Sequence, residues 1–266
     1  MFLDIIKAIV LGLVEGITEF LPISSTGHLI ILNNWLSFSP DLTVMFDIVI
    51  QFGAILAVVV VFWKRLWPFG KDQIERLGIF NLWRKTIVGV LPAIVLGAAL
   101  GSIIEEKLFN PLVVAAALVA GGIILILVER RQVTANILSA KDISYRTAFL
   151  IGLFQSLAMI PGTSRAAATI IGAMLLGATR VVAVEFSFFL AIPTMLAASA
   201  YSLLKYDLVI SVNDFIILGI GFVTAFFTAL AVIKFLLNYI QNNNFKVFGY
   251  YRIGLGILVL LLFIIL

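Results

Sequence analysis

The sequence predicts an all-α polytopic membrane protein with an inverted-topology repeat, and three observations lead to this prediction. The chain is apolar: 62% of its 266 residues are hydrophobic, only 12% are charged, and the mean hydropathy is +1.18. Apolar runs recur at lengths near the roughly 20 residues of a membrane-spanning helix. The chain also resembles itself at a spacing of roughly 135–140 residues. We therefore expect one integral membrane domain over residues 1–266.

Six continuous apolar runs predict six transmembrane helices. Each run is nearly free of charge, which is typical of a helix packed among lipid and other helices. The runs cover residues 44–63, 86–104, 111–128, 182–204, 214–237 and 249–266. Before the first run, Gly12 and Gly16 form a small-residue stripe that predicts close helix packing. The chain has no cysteine, which excludes disulfides and thiol chemistry.

Two further segments are apolar but interrupted by proline and small polar residues. The piece after Pro22 has only about a dozen residues before Asn33, and the pieces beside Pro161 have about 14 each. At about 1.5 Å per residue, none of them crosses a hydrocarbon core of about 30 Å. Each segment is therefore predicted to form a re-entrant helical hairpin, which membranes tolerate only where protein or water satisfies its backbone.

The internal repeat pairs the two interrupted segments. The aligned landmarks are Gly12 with Gly152, Glu15 with Gln155, Pro22 with Pro161 and Ser25 with Ser164. Repeat 1 covers about 1–128, a cytoplasmic linker 129–146, and repeat 2 about 147–266. One re-entrant hairpin plus three transmembrane helices makes an odd number of crossings in each half. The second half must then be inverted, as in transporters whose broken helices meet near the midplane.

The basic residues support this topology independently. If the loop 64–85 is cytoplasmic, that side collects 13 of the 18 basic residues, including Arg180, Lys246 and Arg252. Three fall on the opposite side: Lys7, Lys107 and Lys205. This asymmetry is what the positive-inside rule describes. We expect these charges to set topology rather than to catalyse a reaction, and no nucleic-acid partner is predicted.

The first interrupted segment holds side chains that are expensive to place in a membrane. Glu15 and Glu19 are four residues apart on one helix face, so a cation, an arginine or a proton must relieve their repulsion. They are interpreted as a divalent-cation site, an acid/base pair or a buried structural pair. Ser24, Ser25 and His28 follow at the start of the returning helix, where free backbone N–H groups bind phosphate. Either serine could be a nucleophile with His28 as base, or His28 the nucleophile itself, or His28 a structural residue.

The second interrupted segment combines a similar turn with different chemistry. Gly162 and Ser164 leave backbone donors free, and Arg165 offers a forked donor for phosphate oxygens. Thr169, one turn further on, adds a hydroxyl. The alternative is that Arg165 pairs with one of the two glutamates for structure alone. We expect the two tips to meet and to bind a phosphorylated, lipid-linked head group.

Other polar residues are weaker candidates. Asp47 and Gln51, also four apart, are interpreted either as lining the cavity or as structural packing. Glu185 and Lys234 lie near the cytoplasmic ends of their predicted spans and are interpreted as a structural ion pair.

At these residues the chain resembles the undecaprenyl pyrophosphate phosphatase family, also called bacitracin-resistance proteins. The family's first motif, two glutamates four apart followed by Leu-Pro-x-Ser-Ser-Thr-Gly-His, is present in full from Glu15 to His28. The second, Pro-Gly-x-Ser-Arg-Ser-x-x-Thr, runs from Pro161 to Thr169 with one departure, because Ala166 replaces the second serine. The resemblance covers nearly the whole chain.

The resemblance implies a multi-pass enzyme of the bacterial inner membrane that hydrolyses the lipid pyrophosphate to the monophosphate carrier and phosphate. This reaction recycles the carrier for peptidoglycan synthesis and confers bacitracin resistance. A polyprenyl pyrophosphate substrate, surrounding membrane lipids, a divalent cation and an active site open to the periplasm are also implied. Ala166 calls into question an essential hydroxyl at its position. The motifs carry over as functional residues Glu15, Glu19, Ser25, His28, Arg165 and Thr169.

The mechanistic hypothesis places Mg²⁺ or Ca²⁺ between the two glutamates and the pyrophosphate. Arg165 and the Ser164 turn hold the transferred phosphate, and Ser25 or a water attacks, with His28 as proton carrier. The alternative is a transporter or lipid flippase, which the inverted repeat suggests; fold analogy alone does not choose between them. The set of hydroxyl, imidazole, carboxylate and guanidinium groups favours the enzyme. The sequence leaves open the nucleophile, the number of cations and whether the protein is a homodimer.

Overall fold

The computed structural model describes residues 1–131, 135–205 and 211–265, which are helical over most of their length. The α-helices are α1 Phe2–Thr18, α2 Ser25–Leu36, α3 Pro40–Val61, α4 Trp63–Leu66, α5 Gln73–Leu108, α6 Pro111–Arg130, α7 Tyr145–Ser156, α8 Arg165–Leu175, α9 Arg180–Lys205, α10 Val212–Asn242 and α11 Lys246–Ile265. Within these described ranges the only β pairing is one bridge between Ile137 and Ala178. The prediction of an all-helical protein is confirmed.

Six of the described helices are long and apolar enough to span a membrane: α3, α5, α6, α9, α10 and α11. Each coincides with one of the six predicted runs, and their most apolar windows have mean hydropathies between 1.7 and 2.8. Large hydrophobic side chains on these helices are exposed, among them Leu56, Ile94, Ile124 and Phe227. Outward-facing apolar side chains suit a hydrocarbon solvent. The chain is therefore a multi-pass membrane protein.

Several of the long helices begin at polar caps. Asp72 accepts a hydrogen bond from the backbone N–H of Glu75 at 2.8 Å at the start of α5. Asn110 accepts from Val113 N at 3.0 Å before Pro111 opens α6. Such caps satisfy backbone donors that the first helical turn leaves free. They fix where these spans begin.

Close helix contacts depend on glycine. α1 packs against α10, and α7 packs against α5. A Cβ added at Gly12 would lie 2.8 Å from Gly221 O, and Gly16 meets the same helix one turn later. A Cβ added at Gly152 would collide with the backbone of Gly89. The predicted small-residue stripe on α1 is thus confirmed, and α7 has a corresponding contact.

Two charged residues lie elsewhere than the sequence indicated. Arg252, which was assigned to a cytoplasmic loop, is fully buried in α11. Glu185 pairs with Arg65, whereas Lys234 is exposed. The Arg65 guanidinium also lies over the ring of Phe189, 5.5 Å from the centroid. The prediction of a Glu185–Lys234 pair was wrong.

Candidate functional site

Two turns of the same backbone form carry most of the predicted site. Ser24 precedes α2 and Ser164 precedes α8, with φ angles of 74° and 69°. Among the described residues they are the only non-glycine residues with positive φ. Each serine Oγ accepts a hydrogen bond from the backbone N–H three residues on, Gly27 at 3.3 Å and Ala167 at 3.2 Å. Each therefore caps the helix that follows it.

The two caps set the correspondence between the turns. Ser24 and Ser164 are 140 positions apart in the chain. The proline-based alignment, which placed Ser25 against Ser164, is therefore one residue out of register. The second turn has one more residue between its proline and its cap than the first. Ser25 corresponds to Arg165, and each is the first residue of its helix.

Glu19 joins the two turns. Its Oε2 accepts a hydrogen bond from Ser25 Oγ at 2.6 Å, and its Oε1 accepts from Arg165 Nη2 at 2.9 Å. The ion pair is mostly buried, because the Arg165 and Glu19 side chains are only 11% and 8% exposed. Arg165 also donates to Ser187 O at 3.1 Å and lies over the ring of Phe20 at 5.7 Å. Charge-assisted bonds of this kind hold hydroxyl, carboxylate and guanidinium in one row.

Glu15 lies deeper and is fully buried. Neither of its carboxylate oxygens has a hydrogen-bond partner among the described residues. The carboxylate is within electrostatic range of Glu19, Asp47 and Arg165. An isolated buried carboxylate is costly, so this group must bind a cation or take up a proton.

The carboxylates of Glu15 and Glu19 therefore fit part of a binding site for the divalent cation that the resemblance implies. Glu15 offers two unpartnered oxygens, whereas both oxygens of Glu19 are engaged. In the part of the chain that the structure describes, no three carboxylate or imidazole groups converge as a complete ligand set. A hard cation can take its other ligands from substrate phosphate and water. The fit is to a shared site rather than to an all-protein cage.

Both ring nitrogens of His28 are hydrogen-bonded, one to its own turn and the other to α11. Its Nδ1 lies 2.7 Å from Ser24 O, and its Nε2 lies 2.6 Å from the Tyr251 hydroxyl. A carbonyl oxygen only accepts, so Nδ1 carries the hydrogen and Nε2 accepts from Tyr251. The two rings also stack, with an interplanar angle of 10°. These contacts stand in place of the Ser25–His28 pair that the sequence suggested, since Ser25 donates to Glu19.

Thr169 and Gly162 support the second turn from behind. Thr169 is fully buried, and its hydroxyl donates to Arg165 O at 2.9 Å and shares a hydrogen bond with Ser187 Oγ at 2.6 Å. Gly162 has a φ of 88°, and its carbonyl accepts from Arg252 Nη2 at 3.1 Å. Thr169 therefore stabilises α8 rather than facing a ligand.

A cavity of about 270 Å³ opens beside the row of three side chains. Six predicted site residues line it: Glu19, Ser24, Ser25, Gly162, Ser164 and Arg165. Gln51 also lines it, whereas Asp47 and the fully buried Ala166 are not among its lining residues. Gln155 lines it too and donates to Thr194 Oγ1 at 3.0 Å.

Sequence reasoning missed the contribution of α11. Tyr251 holds His28, and Arg252 is hydrogen-bonded to both turns, to Pro22 O and to Gly162 O. Both lie inside the predicted apolar run 249–266 but were counted with the preceding loop. A charge within a predicted span is itself a functional signal, and it could have identified Arg252.

Fold and site together define a multi-pass helical membrane protein in which two polar turns enclose a serine, a glutamate and an arginine. Residues 8–258 match the family model described as bacitracin resistance protein BacA, and the chain belongs to this family.

Relatives of similar length carry one printed name. An undecaprenyl-diphosphatase of Lachnoclostridium phytofermentans is 52% identical, over 97% of this chain and 96% of the relative. One from Enterococcus faecalis is 49% identical over 98% of both chains. Undecaprenyl-diphosphatase 1 of Clostridioides difficile is 50% identical over 99% of this chain and 98% of the relative.

Proposed function

We propose that this membrane protein hydrolyses undecaprenyl diphosphate to undecaprenyl phosphate and phosphate. The BacA family and the name shared by relatives about half identical over nearly the full length support this activity. The structural observation that carries it is the hydrogen-bonded row Ser25–Glu19–Arg165 beside a cavity. The reaction returns the lipid carrier to peptidoglycan synthesis, and removing the diphosphate confers bacitracin resistance.

Ser25 is the nucleophile in this proposal. Its Oγ attacks the terminal phosphorus, the new O–P bond forms, and the bond from that phosphorus to the bridging oxygen breaks. The hydroxyl proton moves to Glu19 Oε2, 2.6 Å away, and from there to the departing undecaprenyl phosphate. Arg165 stabilises the negative charge on the transferred phosphoryl group.

Water completes the cycle by the same route. Glu19, again a carboxylate, takes a proton from a water molecule. The oxygen of that water attacks the phosphoserine phosphorus. The Ser25 Oγ–P bond breaks, Glu19 returns the proton to Ser25, and phosphate leaves. The Glu19 carboxylate thus serves in both chemical steps, the phosphoryl transfer to Ser25 and the hydrolysis of the phosphoserine. Its position between Ser25 and Arg165 supports this double role.

A divalent cation, Mg²⁺ or Ca²⁺, belongs to this proposal. When bound it would neutralise charge on the pyrophosphate oxygens. Glu15 would hold it with its two unpartnered oxygens, and Glu19 would be the second carboxylate ligand. Ser24, Ser164 and the backbone N–H groups at the starts of α2 and α8 help bind the phosphates, as helix N-termini do.

His28 acts as a positioning residue in this proposal. Its Nδ1–H donates to Ser24 O and so fixes the peptide that precedes Ser25. Tyr251 donates to Nε2 and keeps the ring in that tautomer. The pair therefore orients the nucleophile through the backbone.

The α1–α2 and α7–α8 pairs are re-entrant hairpins related by an inverted repeat in this proposal. α2 and α7 have 12 residues and α8 has 11, so each is about 17 Å long and short of a core of about 30 Å. α1 packs on α10 and α7 on α5, so each hairpin contacts the long helix of the opposite half. The basic loops face the cytoplasm of the bacterial inner membrane, and the cavity opens to the periplasm.

Cysteine labelling tests this topology without background, since the chain has no cysteine. Arg76→Cys and Lys107→Cys are both at exposed positions. In intact cells a membrane-impermeant maleimide should label Lys107→Cys only. Labelling of Arg76→Cys alone would invert the proposed orientation. Light scattering of the purified protein tests whether it is a homodimer, which the sequence leaves open.

Phosphate release in detergent tests the activity. Purified protein should release phosphate from a C15 or C55 pyrophosphate with a divalent cation and no membrane gradient. Ser25→Ala and Glu19→Gln should bind substrate yet release almost none. Binding without release by the unaltered protein would favour the flippase or transporter alternative instead.

A further inference from the structure

Arg252 connects the two turns of the site. Its fully buried guanidinium donates four hydrogen bonds, each to a main-chain carbonyl oxygen. Two go to the turns, Pro22 O at 3.3 Å and Gly162 O at 3.1 Å. Two go to α6, Ala117 O at 3.2 Å and Leu118 O at 3.4 Å. One side chain of α11 thereby ties both turns to one helix.

The two turn carbonyls occupy the same place in the two turns. Pro22 lies two residues before the capping Ser24, and Gly162 lies two residues before the capping Ser164. The residue after each cap belongs to the proposed chemistry: the nucleophile on one side and the phosphate-binding arginine on the other. A guanidinium that holds both carbonyls therefore controls the spacing between these two groups.

The chemistry of the contact calls for arginine. A planar fork with five donors can reach carbonyls in several directions, whereas a lysine ammonium acts as a compact point charge. Placing such a charge at membrane depth is costly, so its retention indicates a function. Gly121 leaves room for it, because a Cβ added there would lie 2.9 Å from Arg252 Cζ.

We propose that Arg252 is a positioning residue for catalysis, which fixes the first turn against the second and thereby aligns the nucleophile with the phosphate-binding guanidinium. The inference rests on the proposed hydrolysis. Misplacing reacting groups by about 1 Å can cost about 10²-fold in rate. The loss should therefore appear in kcat, with little change in KM.

Two independent variants test this. Arg252→Lys keeps the charge and removes the fork, and Gly121→Ala keeps the arginine and displaces its guanidinium. Each should lower kcat for phosphate release from a C15 pyrophosphate by about 10- to 100-fold. Arg180→Lys is the control for the first, since Arg180 pairs with Glu129 and its hydrogen bonds go to that carboxylate. Gly254→Ala is the control for the second, because its Cβ would meet open space on α11.

The melting temperature separates positioning from folding. The proposal holds if kcat falls in both variants while each variant has the same melting temperature as its control. It also requires non-additivity: the kcat of the double variant Arg252→Lys with Arg165→Lys should fall by less than the product of the two single losses.

Unchanged kcat in Gly121→Ala and in folded Arg252→Lys would overturn the proposal, as would equal kcat losses in the controls. If Arg252→Lys does not fold, Gly121→Ala decides alone. An inactive unaltered protein would instead refute the proposed hydrolysis.

Discussion

The α1–α2 turn and the α7–α8 turn have the same frame and opposite chemistry. Both place a serine at positive φ, cap the next helix with it, and offer a carbonyl to Arg252 two residues earlier. The residue after the cap is Ser25 in one and Arg165 in the other. The first turn is preceded by the anionic Glu19. The two turns thus share one backbone conformation and differ in the side chains that they carry.

This division has an electrostatic reason. Two acidic turns brought together at low dielectric would repel, and two basic turns would do the same. One carboxylate against one guanidinium instead forms the buried Glu19–Arg165 pair at 2.9 Å. The opposite charges of Glu19 and Arg165 therefore allow the two turns to meet. A protein with two chemically identical turns would need another ion between them.

The largest effect should follow replacement of Ser25, the proposed nucleophile on the first turn. Ser25→Ala should lower phosphate release by at least about 10³-fold, as loss of a residue that acts as a catalytic unit does. Ser164→Ala is the comparison on the second turn: it removes a cap, which should cost about 1 kcal/mol of stability, and one phosphate-binding hydroxyl, so phosphate release should fall far less than in Ser25→Ala. Phosphate release and thermal melting of both variants measure the comparison. Equal activity losses would mean that the two turns do not divide the roles as proposed.

The next largest effect should follow replacement of Arg165, the positively charged side chain of the second turn. Arg165→Ala should lower kcat by about 10²–10³-fold, the range for loss of an electrostatic stabiliser. It should also destabilise the fold by about 3–5 kcal/mol, because Glu19 is left buried and unpaired. Adding Glu19→Gln to Arg165→Ala should recover stability without recovering activity. Denaturation and turnover of the double variant check this, and recovered turnover would contradict a catalytic role for the pair.

A smaller effect is expected from the backbone of the second turn. Gly162→Ala should destabilise by about 2–4 kcal/mol, because φ is 88° and the added Cβ would lie 2.9 Å from Val114 Cα. Gly70→Ala is the matched control, with φ of 75° and open space around its Cβ. It carries the strain without the collision and should cost about 1 kcal/mol. Equal losses of stability in the two variants would show that α6 makes no close steric contact with the turn.

The sequence predicted those parts of the molecule that depend on local patterns. Continuous apolar runs indicated all six long helices, and the two motifs indicated six of the residues that line the cavity. The Gly12 stripe indicated a close helix contact, which the structure shows with Gly221. Periodicity and spacing suffice here because helix formation and burial act over one or two turns of chain.

The parts that the sequence did not predict depend on partners distant in the chain. Arg252 binds Pro22 O, and Tyr251 binds His28, each more than 220 positions away. No spacing rule identifies such a pair, and loop assignment by charge moved Arg252 out of its span. The register error at Ser164 has another cause. Proline marks a turn but not the residue that caps the following helix, and that residue is set by backbone conformation.

The smallest effect tests a contact that only the first turn possesses. Tyr251→Phe removes the donor to His28 Nε2, 2.6 Å away, and should cost about 1 kcal/mol, or about fivefold in turnover. Ring stacking at 5.6 Å remains in the variant, so the fold should persist. The control is Tyr250→Phe, at the exposed neighbouring position.

Turnover and melting temperature of the two tyrosine variants separate the interpretations of His28. If His28 only positions the Ser24 peptide, Tyr251→Phe should change turnover modestly, because the Nδ1–H bond to Ser24 O survives. If His28 were the proton carrier of the reaction, freeing Nε2 from Tyr251 would release its lone pair for that role and turnover would not fall. A fall in turnover that is confined to Tyr251→Phe supports the positioning role of His28. The corresponding residue on the second turn is Ala168, which has no imidazole to support.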